Sequence, residues 1–383
     1  MAAIATHCGS HFFRKGSMRK IAVLIVLALA SVPAALVKAA APQASRIPAW
    51  LGVARHPLLE AMYLVAEHRP AEALPYLEIS FKNGNTVAPY WMAKLLAAGA
   101  QGKSGKSLAP PWAAMAAVGG NPRGLLEIGL LYEKGIGVRK SSDLAGYFFA
   151  LAALKNVRGA LWRIRGLAKN GGLTVAGRRR ILRKFHANAG TPVGKWCMAY
   201  LYNAGVLVPK NPRRFRLLMR AAAAGGDSHA IMAEDVLQNY FPKGAWKHPE
   251  RAFQATRRAA HAGSLSAMMW LEGFYRTGFG VGKSRKRAHY WLQQRAKNGD
   301  PEAMTQMANR FLNLPPMAHP AAPSGTNHRR FSLAAAARWA LRAQAADVPG
   351  VTTINWGQNT LSLVLKMHHA LVAGRPGGHA HGN

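Results

Sequence analysis

A short phrase, Ala-Ala-x-x-Gly, recurs along this chain: Ala116-Ala117 with Gly120, Ala222-Ala223 with Gly226, and Ala259-Ala260 with Gly263. Gly84, Gly190 and Gly299 stand in the same local context, and Asn156 takes the place of the glycine after Ala152-Ala153. The series 84, 120, 156, 190, 226, 263, 299 advances by 34 to 37 residues at each step. A small residue follows each marker by four: Ala88, Gly124, Ala160, Gly194, Ala230, Ala267 and Ala303. A period held over more than two hundred residues means one supersecondary unit copied along the chain. One such unit cannot bury its apolar face alone, so the copies must stack on one another.

Within a unit the apolar residues recur at helical spacing. Leu125, Ile128, Gly129 and Tyr132 share one face, and Leu144, Tyr147, Phe148, Leu151 and Ala152 share another. Each unit therefore reads as helix A, a glycine turn, helix B and a stop. The stops are Gly84, Gly120, Asn156, Gly190, Gly226, Gly263 and Gly299, at the left-handed position that ends a helix, where asparagine is the tolerated substitute. The turn carries Leu131-Tyr132-x-x-Gly135-x-Gly137-Val138 and returns as Phe274-Tyr275-x-x-Gly278-x-Gly280-Val281. A partial copy, Leu201-Tyr202-x-x-Gly205-x-Leu207-Val208, lacks the second glycine. Paired glycines also cradle phosphates, but a phosphate loop follows a strand and occurs once. These loops join two helices and recur, so they are expected only to turn the chain.

The combination resembles the Sel-one-like repeat (SLR) family, relatives of the tetratricopeptide repeats. Residues 124–159 match that pattern best, with Gly129, Tyr132, Gly135, Gly137, Val138, Asp143, Ala152 and Ala153 in place; residues 267–302 match well, and 88–123, 194–229 and 230–266 in part. The resemblance implies an all-α fold, a right-handed α-solenoid of antiparallel helix pairs with about 36 residues per repeat, and a concave surface that binds proteins. The expected solenoid runs over 52–350, with units near 52, 88, 124, 160, 194, 230, 267 and 303. A capping helix is expected at 351–373 and a disordered tail at 374–383. The unit at 160–193 is degenerate, and the last unit carries an insertion.

The N-terminus predicts export. Met18-Arg19-Lys20 precedes a run of 17 residues without a charge, and small residues follow, as in a secretory signal peptide. Cleavage is expected after Ala39, giving a signal at 1–39 and a linker at 40–51; Met18 is an alternative start, and an uncleaved anchor is the alternative to cleavage. A cleaved chain has no transmembrane span left. Cys8 falls in the signal, leaving Cys197, which reads as a small buried residue.

Charge bears on the partner. Against 15 acids stand 51 Lys and Arg, a net +36. Such an excess attracts nucleic acid, acidic lipid or acidic glycan. Export removes nucleic acid from that set. Cations cluster at Arg213, Arg214 and Arg216, at Arg257 and Arg258, and at Lys283, Arg285, Lys286 and Arg287, most of them near the start of a helix B. Asp143 keeps the family's acid there, while Asn211 and Ser284 stand at the corresponding later positions, each followed by bases. Cations at a helix N-terminus are unfavourable by roughly 0.3–1 kcal/mol each. Repeating them is expected to build a basic ridge along one edge of the solenoid. Its ligand would be an acidic exopolysaccharide, lipopolysaccharide phosphates or an acidic envelope protein; plain solvation, or adaptation to an acidic medium, is the competing reading.

No metal site, cofactor or catalytic group is expected. The acids are scattered, Glu234-Asp235 being the only adjacent pair, and neighbours on a helix diverge by about 100°. His368-His369 and His379-x-His381 are weak metal signals, and no His-Glu-x-x-His or Gly-x-Ser-x-Gly occurs. The sequence therefore points to an exported, non-catalytic scaffold of the cell envelope. The alternatives are a hydrolase of cell wall or glycan, to which some cysteine-rich relatives have been linked, and a periplasmic chaperone-like stress factor.

Overall fold

A computed structural model describes residues 57–157, 159–227, 229–231, 233, 249–311, 333–346 and 364. The expected signal, linker and tail lie outside those residues, as do the capping helix, Val364 excepted, and the insertion around 312–332. All regular structure described is helical. It falls into two compact units, one holding Pro70–Phe215 and the other joining residues 57–69 to those from Arg216 onward.

In the first unit, α2 (Pro70–Lys82) packs on α3 (Ala88–Ala98), and α3 packs on α5 (Ala109–Val118) across the short α4 (Gly102–Lys106). Next come α6 (Arg123–Lys134) against α7 (Ser142–Leu154), then α8 (Ala160–Lys169), α9 (Val175–His186) and α10 (Pro192–Ala204). The helix α11 (Pro212–Ala224) begins in this unit. In the second, α12 (Pro249–His261), α13 (Leu265–Thr277), α14 (Arg285–Lys297), α15 (Pro301–Phe311) and α16 (Leu333–Ala346) each pack on the next, and α1 (Pro57–Ala66) packs on α16. Consecutive antiparallel helix pairs are thus the building unit.

Small residues set the packing. The large residues of the α7 stripe, Leu144, Tyr147, Phe148 and Leu151, are half-buried, while Ala145, Phe149, Ala152 and Ala153 go deepest. The sequence pattern weights side-chain size, whereas the stacked helices bury the face that lets backbones approach. In the second unit Phe253, Leu271, Phe274 and Trp291 form the core with Ala259, Ala260 and Ala267.

Five of the expected stops share one hydrogen-bond pattern. At the 263 stop, Gly263 N–H donates to Ala260 O and Ser264 N–H to Ala259 O, both at 3.0 Å. Pairs of the same kind close the chain at 84, 156, 226 and 299. Both bonds satisfy carbonyls that the helix end would otherwise orphan. Asn156 adopts the left-handed conformation as the glycines do, at φ 61°. Gly190 departs from this expectation. It is not among the positive-φ residues; α9 ends at His186, and Ala187 to Ala189 carry the chain in turns back onto Arg183, Phe185 and His186. The residue after a stop then caps the next helix, except Val157 after Asn156: Asn85, Asn121, Asp227, Ser264 and Asp300 accept from backbone N–H groups two or three residues on, as Thr191 does after Gly190.

Candidate functional site: the interhelix turns and their cations

The paired glycines are filled by the chain itself. Gly135 (φ 73°), Gly205 (φ 63°) and Gly278 (φ 86°) are left-handed caps of helix A. The second glycines, Gly137 (φ 67°) and Gly280 (φ 63°), sit against backbone from the preceding unit. A Cβ on Gly137 would overlap the carbonyl oxygen of Lys106, and one on Gly280 the carbonyl of Pro249, in each case thirty-one residues earlier. The space a phosphate would need is occupied by carbonyl oxygen, a group that repels anions. In the partial copy Leu207 holds the same backbone conformation, at φ 63°, with a side chain attached.

The end of each turn is tied in one way. The N–H groups of Ser141, Asn211 and Ser284 donate to the carbonyls of Tyr132, Tyr202 and Tyr275 at 2.9, 3.0 and 2.7 Å. The side chains of the same three residues accept from Leu144, Arg214 and Arg287 N–H, capping helix B. Asn211 and Ser284 therefore correspond to Ser141, not to Asp143 as the sequence suggested. The true counterparts of Asp143 are Arg213 and Lys286, eight residues beyond the first glycine of each turn. Asp143 accepts from Thr174 N–H at 2.9 Å and from Thr174 Oγ1 at 2.5 Å, tying α7 to the cap of α9. Arginine or lysine at that position can make neither bond. Any small polar residue can cap a helix, and cap and acid lie only two residues apart.

All nine candidate cations are exposed. Arg213 and Arg214 belong to the first unit and the other seven to the second. Arg214 donates to the Tyr202 hydroxyl at 2.7 Å and lies over that ring, and Arg287 lies over Tyr275 at 5.6 Å. These two arginines, one residue after the Asp143 position, are partly held by helix A. Arg213, Lys283, Arg285 and Lys286 gather at helix-B starts, with Arg216 one turn further along α11. Arg257 and Arg258 do not join them; they lie in the C-terminal half of α12, whose start is Pro249-Glu250-Arg251.

Sequence reasoning missed a buried charge cluster in the second unit. Arg295 is 1% exposed. Its Nε donates to Asp300 Oδ2 at 2.6 Å, and Nη1 and Nη2 lie 3.4 Å from Glu272 and 3.3 Å from Glu302. The last contact is an ion pair without hydrogen-bond alignment. Burial pushes the Glu272 carboxyl above its usual range, against the opposing pull of Arg295, Arg276 and Arg310. Glu127, on α6, is likewise raised by burial, against Lys94, Lys134 and Arg163. The signal was faint: three carboxylates spread over thirty residues look scattered until helices bring them to one guanidinium.

Among the described residues no cluster of three His, Cys, Asp or Glu could hold a metal, and no helix is long and apolar enough to cross a membrane. Cys197 is fully buried on α10. Trp91 and Trp291 are buried, but Trp162 is 73% exposed and Trp270 is 40% exposed, so these two do not serve the core.

The model of the Sel1 repeat family matches residues 122–157, 196–227 and 273–300. A search of curated proteins found no match. Among solved structures, one similar chain is a protective antigen of uropathogenic Escherichia coli strains that displays an SLR fold: 19% identity over 81% of this chain, with a TM-score of 0.35. The present chain spans 65% of that antigen's length. A Sel1 repeat protein from Oxalobacter formigenes is similar at 20% identity over 76% of this chain and 97% of its own, with a TM-score of 0.33. The family-model matches take in all three tyrosine-glycine turns, so the chain carries Sel1 repeats at those three places.

Proposed function

We propose that this chain is an exported, non-catalytic scaffold of the cell envelope that binds an acidic partner through the cationic starts of its B helices. Sel1-repeat proteins generally mediate protein–protein interaction. The observation that carries the acidic partner is the exchange of Asp143 for Arg213 and Lys286 at one register position. Each exchange gives up a tie of the Asp143–Thr174 kind and sets a cation where the helix dipole opposes it. An exposed basic start is what remains. Candidate partners are an acidic envelope protein, an acidic exopolysaccharide and lipopolysaccharide phosphates, and export would follow from the charge-free run after Lys20.

A glycan hydrolase fits less well. Three carboxyls are raised by burial: Glu127 and Glu272, 6% and 8% exposed, face neighbouring helices, and Asp227, 4% exposed, is taken up by the backbone N–H groups of His229 and Ala230. A general acid must reach its substrate.

An envelope-extract capture tests the reading, with the mature chain as bait beside a variant carrying Arg213→Glu, Arg214→Glu, Lys286→Glu and Arg287→Glu. Washing at rising salt should release acidic material as screening lengths fall below about 8 Å. The variant should retain much less of it at unchanged helicity. Equal capture by both chains would refute the basic starts.

A further inference from the structure

The outward face of α9 lies outside the nine cations considered above. Its buried stripe is narrow: Gly177, Ile181 and Phe185, one residue per turn. On the other side Ala176, Arg179, Leu182, Arg183 and His186 line a shallow, open depression of about 520 Å³ on this one helix. These positions follow helical spacing, so a single face carries an apolar floor of Ala176 and Leu182 beside cationic heads.

The cations of α9 are not equivalent. Arg178 donates to Leu173 O and Ala168 O, closing the end of α8, and Arg180 lies 4.1 Å over the Tyr147 ring. Both are held by the fold. Arg179 and Arg183 are exposed, and among the described residues neither meets a carboxylate. No acid lies anywhere in α9.

The face is open where the repeat is broken. Elsewhere the second glycine of a turn seats on backbone thirty-one residues earlier, at Lys106 and at Pro249. Counting thirty-one back from Leu207 reaches Ala176, at the start of α9. A leucine cannot approach a carbonyl as glycine does, and Ala176 is exposed. The glycine-to-leucine change and the uncovered face therefore fall at the same step of the repeat.

We propose that this face of α9 is a docking seat for an acidic amphipathic segment of a partner protein, its apolar side chains resting on Ala176 and Leu182 and its carboxylates meeting Arg179 and Arg183. Charge complementarity selects an acidic partner. The apolar floor selects a peptide over a polyuronate chain, which has carboxylates at similar density but no aliphatic side chains. This seat is independent of the basic B-helix starts, so loss of either leaves the other standing.

The test uses the full chain and three fluorescent probes: a 20-residue helical peptide of Glu with Leu at every third or fourth position, the same peptide with each Leu changed to Ser, and an alginate oligomer of matched charge. At physiological salt the Leu peptide should bind, and R179E with R183E should weaken it by about tenfold or more. Leu182→Ser, which leaves the charge intact, should weaken it by about threefold or more. The quadruple variant at 213, 214, 286 and 287 should change that affinity by less than about twofold, because none of those four residues lines this face. Equal binding of all three probes, or of the Leu peptide by wild type and the R179E/R183E variant, would overturn the seat. Preference for alginate would reassign the face to a glycan. Helicity of each variant, read by circular dichroism, keeps unfolding from passing as lost binding.

Discussion

Replacing Gly137 by alanine separates two effects that a glycine at positive φ combines. The first is conformational: an L-residue held left-handed costs about 1–2 kcal/mol. Gly84 isolates that term, since its φ is 83° and nothing lies within 4 Å of a Cβ built there. The second is steric. At Gly137 the added carbon overlaps the Lys106 carbonyl and comes within 2.9 Å of Pro110 Cδ. Lys106 ends α4 and Pro110 lies in the first turn of α5, so neither can swing away as a lysine tip would, and forced shifts in a packed region cost typically 1–3 kcal/mol. Gly84→Ala should therefore lose about 1–2 kcal/mol, and Gly137→Ala about 2–5 kcal/mol. The entropy lost from the unfolded chain is common to both and cancels. Thermal and urea unfolding followed by circular dichroism would give the comparison, with each kcal/mol worth roughly 2–4 °C in a domain of this size. Equal midpoints for the two variants would refute the close approach, and with it the claim that the second glycine belongs to packing.

Three further outcomes are expected. Arg295→Met should destabilise by about 3–5 kcal/mol in urea unfolding, because it leaves Asp300 and Glu272 buried without their cation and half-buried Glu302 without its ion pair; a loss below about 1 kcal/mol would show the cluster to be dispensable. The Glu127 carboxyl is raised in the folded chain, so its ionised form is disfavoured there, and its penalty is absent below the unfolded value and sets in as pH climbs through the folded one. Wild type should accordingly gain stability from pH 8 toward about pH 5 relative to Glu127→Gln, whose melting temperature should be the higher of the two at pH 8; parallel pH profiles would contradict this. Sequencing the N-terminus of the protein recovered from its producing cell should begin at Ala40, and an intact Met1 or Met18 would argue for an uncleaved anchor.

What the sequence made legible was whatever depends on one residue's conformational range. The stops at Gly84, Asn156 and Gly263 and the first glycines of the turns follow from left-handed backbone, which few residues tolerate. Gly190 shows the limit, since a glycine at the right interval can still lie beyond a helix that ended four residues earlier. Register within helix B was harder. Asn211 and Ser284 looked like stand-ins for Asp143 because small polar residues cap helices wherever they fall; only the shared bond to a tyrosine carbonyl shows that they match Ser141. Arg257 and Arg258, expected in the same ridge, lie in the C-terminal half of α12 and not at its start. The Arg295 cluster was not legible from spacing at all. It depends on side chains from α13, α14 and the start of α15 converging, and a one-dimensional count sees only isolated acids.

The central claim is recognition of a partner at the basic helix-B starts. The most direct measurement places a photo-crosslinking residue at Arg213 or at Lys286, one at a time, in the producing cell. Adducts are identified by mass spectrometry, with Asn203, an exposed position outside the cationic starts, as control. The account predicts a discrete adduct with acidic envelope material at Arg213 and at Lys286 and none at the control. No adduct at either cationic position, or the same products from all three, would contradict it.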